Sequence, residues 1–218
     1  MDELEKKISQ TIKIIFMDYD MDSLSKYERR EIIFDYLTSE LSYNFSLLEK
    51  IKERELNKSK VTLTRNPRQE LFDVIYTKNG ICNGISQYYK LLLEEVGIES
   101  YCVICDDGTE VKHQLNLVHD EESNSYSFDD VTSVIVGRGS KQDYFDYDVE
   151  SANKLNQGTK PVYEDRNYFI LPETYVNYLI GRDKSISPEI EKLPKNIKSI
   201  KQNQETKIHK SWLLFFIV

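Results

Sequence analysis

Cys82, His113 and the adjacent acids Asp129 and Asp130 are the residues of this chain whose types and order could do chemistry. Cys82 lies in Asn79-Gly80-Ile81-Cys82-Asn83-Gly84, a glycine-bearing turn that runs into Ile85, Tyr88 or Tyr89, Leu92 and Val96. The spacing of three or four predicts a helix with one buried face, and Gly97 stands where such a helix needs a residue tolerant of positive φ to stop it. A thiol on the first turn feels unsatisfied N–H groups and the positive end of the helix dipole, and both stabilise thiolate. The same N–H groups can hold an oxyanion that forms beside the sulfur. A cysteine nucleophile also needs an imidazole base, and the imidazole needs a third group to fix its tautomer. His113, within Val111 to Val118, and a carboxylate closing Tyr126-Ser127-Phe128-Asp129-Asp130-Val131-Thr132, lie on stretches that read as short strands. Helix-Cys, strand-His and strand-Asp thus follow one another within about fifty residues. Strand alternation places Tyr126, Phe128 and Asp130 on one face, the face expected to pack on the cysteine helix, with Asp129 pointing away. Asp130 is therefore the expected third member and Asp129 the fallback.

Several elements must position these residues. Leu4, Ile8, Ile12 and Ile15 predict a first helix over residues 2–17. Ser25-Lys26-Tyr27-Glu28 has the form of a capping box and opens a second helix to about Tyr43. Asn44 or Ser46 begins a third, carrying Leu47, Leu48 and Ile51. Nothing in these first sixty residues has the look of chemistry. Lys58 to Thr64 is polar and reads as a loop or poor edge strand, and Asn66-Pro67 marks a helix start. Leu71, Phe72, Ile75 and Tyr76 give that helix its expected buried face, and Thr77-Lys78-Asn79-Gly80 turns the chain into the cysteine helix. After Gly97 the period shifts to two. Glu99 to Cys105, Lys112 to Val118, Ser125 to Asp130 and Ser133 to Val136 read as strands, with turns at Asp106-Asp107-Gly108 and at Asp120 to Asn124. The fold class expected is α+β, with N-terminal helices packed on a small antiparallel β-sheet.

The three pieces Gly80-Ile81-Cys82-Asn83-Gly84, His113-Gln114-Leu115-Asn116 and Tyr126-Ser127-Phe128-Asp129-Asp130-Val131-Thr132 resemble the motifs of the transglutaminase-like superfamily of papain-related cysteine enzymes, bacterial members included. That family shows Gly-x-Cys-x-Gly at a helix start, His-x-Trp-Asn on a strand, and aromatic-x-apolar-x-Asp-x-Thr on the next. The resemblance covers roughly residues 68–150. It departs at Leu115, which stands where the family usually has tryptophan and so changes the wall of the cleft. It implies a papain-like core and a Cys82, His113, Asp130 triad acting on a protein or peptide substrate through a thioester, by hydrolysis or transamidation, without metal or cofactor. A transglutaminase-like binding module with a weak or inactive triad is the alternative. Tyr76, six residues before Cys82, is either an oxyanion-pocket group or a packed aromatic, and Asn83 and Leu115 are further candidates for the oxyanion pocket or cleft. The organisation implied is one domain over 1–181 (N-terminal helices 1–65, catalytic core 66–150, C-terminal cap 151–181), followed by a polar tail over 182–218.

Composition bounds the alternatives. A chain of 218 residues with 30% charged residues is long enough for one substantial core. A net charge of −8 argues against nonspecific nucleic-acid binding and against an anionic membrane surface. The charged start Met1-Asp2-Glu3-Leu4-Glu5-Lys6-Lys7, with no apolar stretch behind it, reads as no signal peptide, and three cysteines fit a reduced, cytoplasmic setting. Cys102 and Cys105 are two strand residues expected to face opposite sides, and no second pair completes a zinc site. His119 falls in a turn and His209 in the polar tail, so neither competes as base. Asp143-Tyr144-Phe145-Asp146-Tyr147-Asp148 reads as a cap over the sheet edge or a lip over the substrate. Tyr175 to Ile180 reads as a short helix stopped by Gly181. Trp212 to Val218 is apolar but far short of the ~20 residues of a membrane span, and any membrane contact is expected only there.

Overall fold

The computed structural model describes residues 3–57, 67–106, 113–147 and 167–170. The expectations for Lys58 to Thr64, Asp107-Gly108, the helix at Tyr175 to Ile180 and the tail over 182–218 lie outside the described residues, as does most of the cap over 151–181. The architecture is α+β. In chain order it comprises α1 (Glu3–Ile15), α2 (Lys26–Glu40), β1 (Ser42–Tyr43), α3 (Phe45–Asn57), α4 (Pro67–Thr77), β2 (Asn79–Gly80), α5 (Cys82–Glu95), β3 (Ser100–Asp106), β4 (His113–Asp120), β5 (Ser125–Asp129), α6 (Val131–Ile135), α7 (Lys141–Tyr144) and β6 (Asn167–Ile170).

Helix α5 is the axis of the molecule. Every residue from Cys82 to Leu93 is buried, which an amphipathic surface helix would not show. It packs against α1, α2, α4 and α6 on one side and against β3 and β4 on the other. Gly97, at φ 74°, ends it, with its N–H donating to the Glu94 carbonyl at 3.0 Å and that of Ile98 to Leu93 at 2.9 Å. The stripe Leu4, Ile8, Ile12, Ile15 of α1 is buried in the same core as Ile33, Phe34 and Leu37 of α2 and Leu71, Val74 and Ile75 of α4.

The capping box at Ser25 forms: Glu28 N–H donates to Ser25 Oγ at 3.2 Å, and Ser25 N–H to Glu28 Oε2 at 2.8 Å. Helix α2 stops at Glu40, short of Tyr43, because the chain is drawn into a parallel pair with β2, Ser42 opposite Asn79 and Tyr43 opposite Gly80. Asn44 then opens α3 by accepting the Leu47 N–H at 2.9 Å.

The main sheet has the order β5-β4-β3-β6, with every pairing antiparallel. One face looks to α5. The other carries a second cluster of Val103, Cys105, Leu115, Leu117, Phe128 and Tyr147. The expected strand at Ser133 to Val136 is instead the helix α6. Its β-branched residues favour strand, but Asp130 accepts the Ser133 N–H at 2.9 Å and caps a helical turn before them. The acidic–aromatic segment lies along the free edge of β5. Phe128 and Tyr147 exchange backbone hydrogen bonds at 2.8 and 3.1 Å, and Asp130 N–H donates to the Tyr144 carbonyl at 2.8 Å. It caps an edge that would otherwise stay unpaired. Among the described residues no helix is long and apolar enough to cross a membrane.

Candidate functional site

Cys82 is the first residue of α5 and is 8% exposed. Its cap residue, Ile81, has extended backbone and gives the helix start no side-chain hydrogen bond. The glycines on either side of the cysteine do packing work. A Cβ on Gly84 would sit 2.5 Å from the Glu70 carbonyl oxygen, and one on Gly80 would sit 2.1 Å from Val74 Cγ2. Both absences let α4 lie directly against the turn that presents the sulfur.

His113 is the first residue of β4. Its Nε2 is 2.8 Å from Asp130 Oδ2, and the Cys82 side chain is near enough to bear on the protonation of its ring. The imidazole is 20% exposed and the carboxylate is buried. Burial presses the His113 pKa down, but the charge and hydrogen bond of Asp130, helped by Cys82, push it up to about 10. Burial likewise opposes the charge on Asp130, yet His113 and the two bonds from Ser133 hold its pKa below the ordinary carboxylate value. Those bonds run from the Ser133 N–H to Oδ1 at 2.9 Å and from its hydroxyl to Oδ2 at 2.7 Å. Asp130 is thus a helix cap and a histidine partner at once.

Asn116 and Gln114 hold β4 to the cysteine helix. Asn116 Nδ2 donates to the Ser86 carbonyl at 2.9 Å, and Gln114 Nε2 to Ser86 Oγ at 2.6 Å. This seam fixes where His113 stands relative to the start of α5.

The remaining expected site residues lie elsewhere. Asp129 does not point away from the helices. It is fully buried, accepts a bidentate pair from Arg30 at 2.7 Å each, and accepts the Tyr89 hydroxyl at 2.7 Å. Phe128 and Tyr126, expected to face the cysteine helix, pack with the second cluster. Alternation holds up to Asp129, which lies opposite Asn116; the strand then ends and Asp130 leaves extended geometry, so both acids turn inward. Tyr76, expected on the buried face of α4, is instead 47% exposed, its ring stacked on Phe72 and its hydroxyl 3.5 Å from Glu3 of α1. The Asn83 amide is committed to Glu70, at 2.6 Å, and to Gln87. Leu115 packs in the second cluster, on the face of β4 opposite the one from which Gln114 and Asn116 reach α5. Cys102 and Cys105 form no disulfide and lie on opposite faces of β3, the first in register with Asn116 of β4 and the second in the second cluster. Among the described residues no group of three or more His, Cys, Asp or Glu is placed to hold a metal ion.

Three residues escaped the sequence reading. Ser133 had a local signal, the spacing of three from an acid that marks a helix cap. Ser86 had none, since a serine inside a helix pattern carries no sign of what its hydroxyl and carbonyl will meet. Arg30 is one positive charge in a charged helix, and only the fold brings it to a residue 99 positions away.

No family model matches the chain, and no curated protein matches it. A solved structure described as the crystal structure of a TGase is similar over 59% of this chain, with a TM-score of 0.44 and 17% identity. The matched part of this chain spans 31% of the length of that structure.

Proposed function

We propose that the chain is a cysteine-dependent acyl-transfer enzyme, a peptide or amide hydrolase or a transglutaminase, in which Cys82, His113 and Asp130 act as nucleophile, base and orienting acid. The observation that carries this reading is His113, bonded to Asp130 through Nε2 and near enough to Cys82 for the sulfur to bear on its protonation. With Nε2 given to the carboxylate, Nδ1 is the ring nitrogen left for the sulfur. A raised imidazole pKa beside a thiol favours the thiolate–imidazolium pair at neutral pH.

In the reaction, the Cys82 thiolate attacks a carboxamide or peptide carbonyl and forms a C–S bond. The oxyanion is met by N–H groups at the start of α5. The C–N bond then breaks as His113 gives its proton to the leaving amine, and a thioester remains. Water or a second amine, deprotonated by His113, attacks the thioester carbonyl and releases the sulfur as thiolate. Water gives proteolysis or deamidation; an amine gives a cross-link. The substrate is a protein or peptide, and the motif resemblance of residues 68–150 to transglutaminase-like enzymes supports that class.

Incubation of the full chain with a peptide library, read by mass spectrometry, tests the reading. A gain of about one dalton marks deamidation, a cleavage ladder proteolysis, and amine incorporation cross-linking; loss of each in Cys82→Ala ties it to the sulfur. The low exposure of Cys82 favours a second reading, a binding module with a closed or inactive site. Iodoacetamide separates the two: an enzyme alkylates at Cys82 at neutral pH well ahead of Cys102 and Cys105, whereas a binder shows the reactivity of an ordinary thiol.

A further inference from the structure

Asp129 and Asp130 are neighbours in sequence, both buried, and both turned to the helical side of β5. Successive strand residues face opposite ways, so something must hold the chain in this turn and keep the two carboxylates in separate roles. The Arg30 guanidinium supplies the hold. Its Nε and Nη2 take the two oxygens of Asp129 in a fork, while Nη2 also reaches Ser127 Oγ at 2.9 Å and Nη1 reaches Asp146 at 3.2 Å. Each Asp129 oxygen has a second donor, the Tyr89 hydroxyl on Oδ2 and the Asp146 N–H at 2.8 Å on Oδ1. The carboxylate is fully subscribed, its charge matched by a buried cation.

We propose that Arg30 and Asp129 form a clamp that fixes the end of β5 so that Asp130, and not its neighbour, meets His113, making Arg30 of α2 a positioning residue of the Cys82 site. The inference rests on the roles given above to Cys82, His113 and Asp130. The groups facing Asp129 come from three elements, Arg30 of α2, Tyr89 of α5 and Asp146 beyond α7; those facing His113 and Asp130 are Cys82 of α5 and Ser133 of α6. A lysine at position 30 would keep the charge but lose the fork that sets the geometry.

The experiment is the pH dependence of Cys82 alkylation by iodoacetate, followed on the Cys82 peptide of the full chain by mass spectrometry. The reagent is an anion, so its attack is aided by the His113 imidazolium and slows when that proton is lost. Arg30→Lys is expected to lower the neutral-pH rate roughly tenfold to a hundredfold and to move the alkaline inflection down by about one unit. The double variant Arg30→Met/Asp129→Leu removes both charges together, the change that buried pairs tolerate best, and is expected to shift the profile in the same direction; it decides the matter if Arg30→Lys does not fold. Folded variants with lowered thermal midpoints but unchanged profiles would show Arg30 to be a structural brace only and overturn the clamp. Asp130→Asn is the control: if it leaves the profile in place, the assignment of base and orienting acid fails. If it moves the profile while the position-30 variants do not, the clamp alone fails.

Discussion

At the scale of single residues, the chemistry comes down to how one imidazole is held. His113 is pulled two ways, since burial disfavours its cation while Asp130 and the neighbouring sulfur favour it, and the charges win. In the proposed reaction a cation there would keep the sulfur as thiolate at pH values where a free cysteine, with its pKa near ~8.5, is nearly all thiol. His113→Ala should therefore slow alkylation of Cys82 by iodoacetamide at pH 6 by roughly tenfold or more, with the rate in the variant climbing toward an ordinary thiol pKa. The wild-type rate should instead be nearly flat from about pH 6 to 9. A wild-type profile that rises like that of a free thiol would mean that His113 does not ionise Cys82. Asp130 works through a bond that local sequence could suggest. Its dual use as cap and histidine partner was not legible, because Val131, Thr132, Val134 and Ile135 carry a strand signal that the two bonds from Ser133 to the Asp130 carboxylate override.

At the scale of elements, the placement of the sulfur depends on how closely α4 approaches α5. Gly84 and Gly80 flank the cysteine for different reasons, and the difference is testable. An alanine methyl at position 84 would meet Val74 Cγ2 at 2.9 Å and, closer still, main chain, the Glu70 carbonyl at 2.5 Å, which cannot give way without moving α4. At position 80 it would meet a side-chain methyl of Val74 at 2.1 Å. Gly84→Ala and Gly80→Ala should each destabilise by about 1–3 kcal/mol, the usual cost of overpacking. Val74→Ala added to Gly80→Ala should recover much of that loss, whereas added to Gly84→Ala it should recover little. Thermal or urea denaturation of the four variants checks this, and equal rescue at both positions would refute the account. Helices α1 to α5 and strands β3, β4 and β5 were legible because apolar spacing, alternation and caps such as Ser25 and Asn44 are local. The pair β1-β2 was not, since it depends on Ser42 meeting the Lys78 carbonyl at 2.9 Å, a contact no window of sequence contains.

At the scale of the whole molecule, the proposed site joins segments far apart in the chain: α5 gives the sulfur, β4 the imidazole, the end of β5 the carboxylate, and α2 the buried arginine beside it. Motif order named the first three as candidates; the fourth needed the fold. This joining makes stability depend on pH in a definite direction. The pKa of His113 is raised from 6.5 to about 10, so its stabilising share is complete below about 6.5 and is lost as pH climbs through about 10. The Asp130 pKa is lowered from 3.8, so its share is complete above about 3.8 and is lost as pH falls through the lowered value. Both are whole between about pH 4 and 6.5. Asp130→Asn breaks a largely buried pair and should cost on the order of 3 kcal/mol in that window, with the gap from wild type narrowing steadily toward pH 10. Urea unfolding of the two proteins at several pH values measures the gap. A difference that stays constant across that range would mean that His113 and Asp130 do not titrate as partners in the folded chain, and the thiolate they are held to support would lose its physical basis.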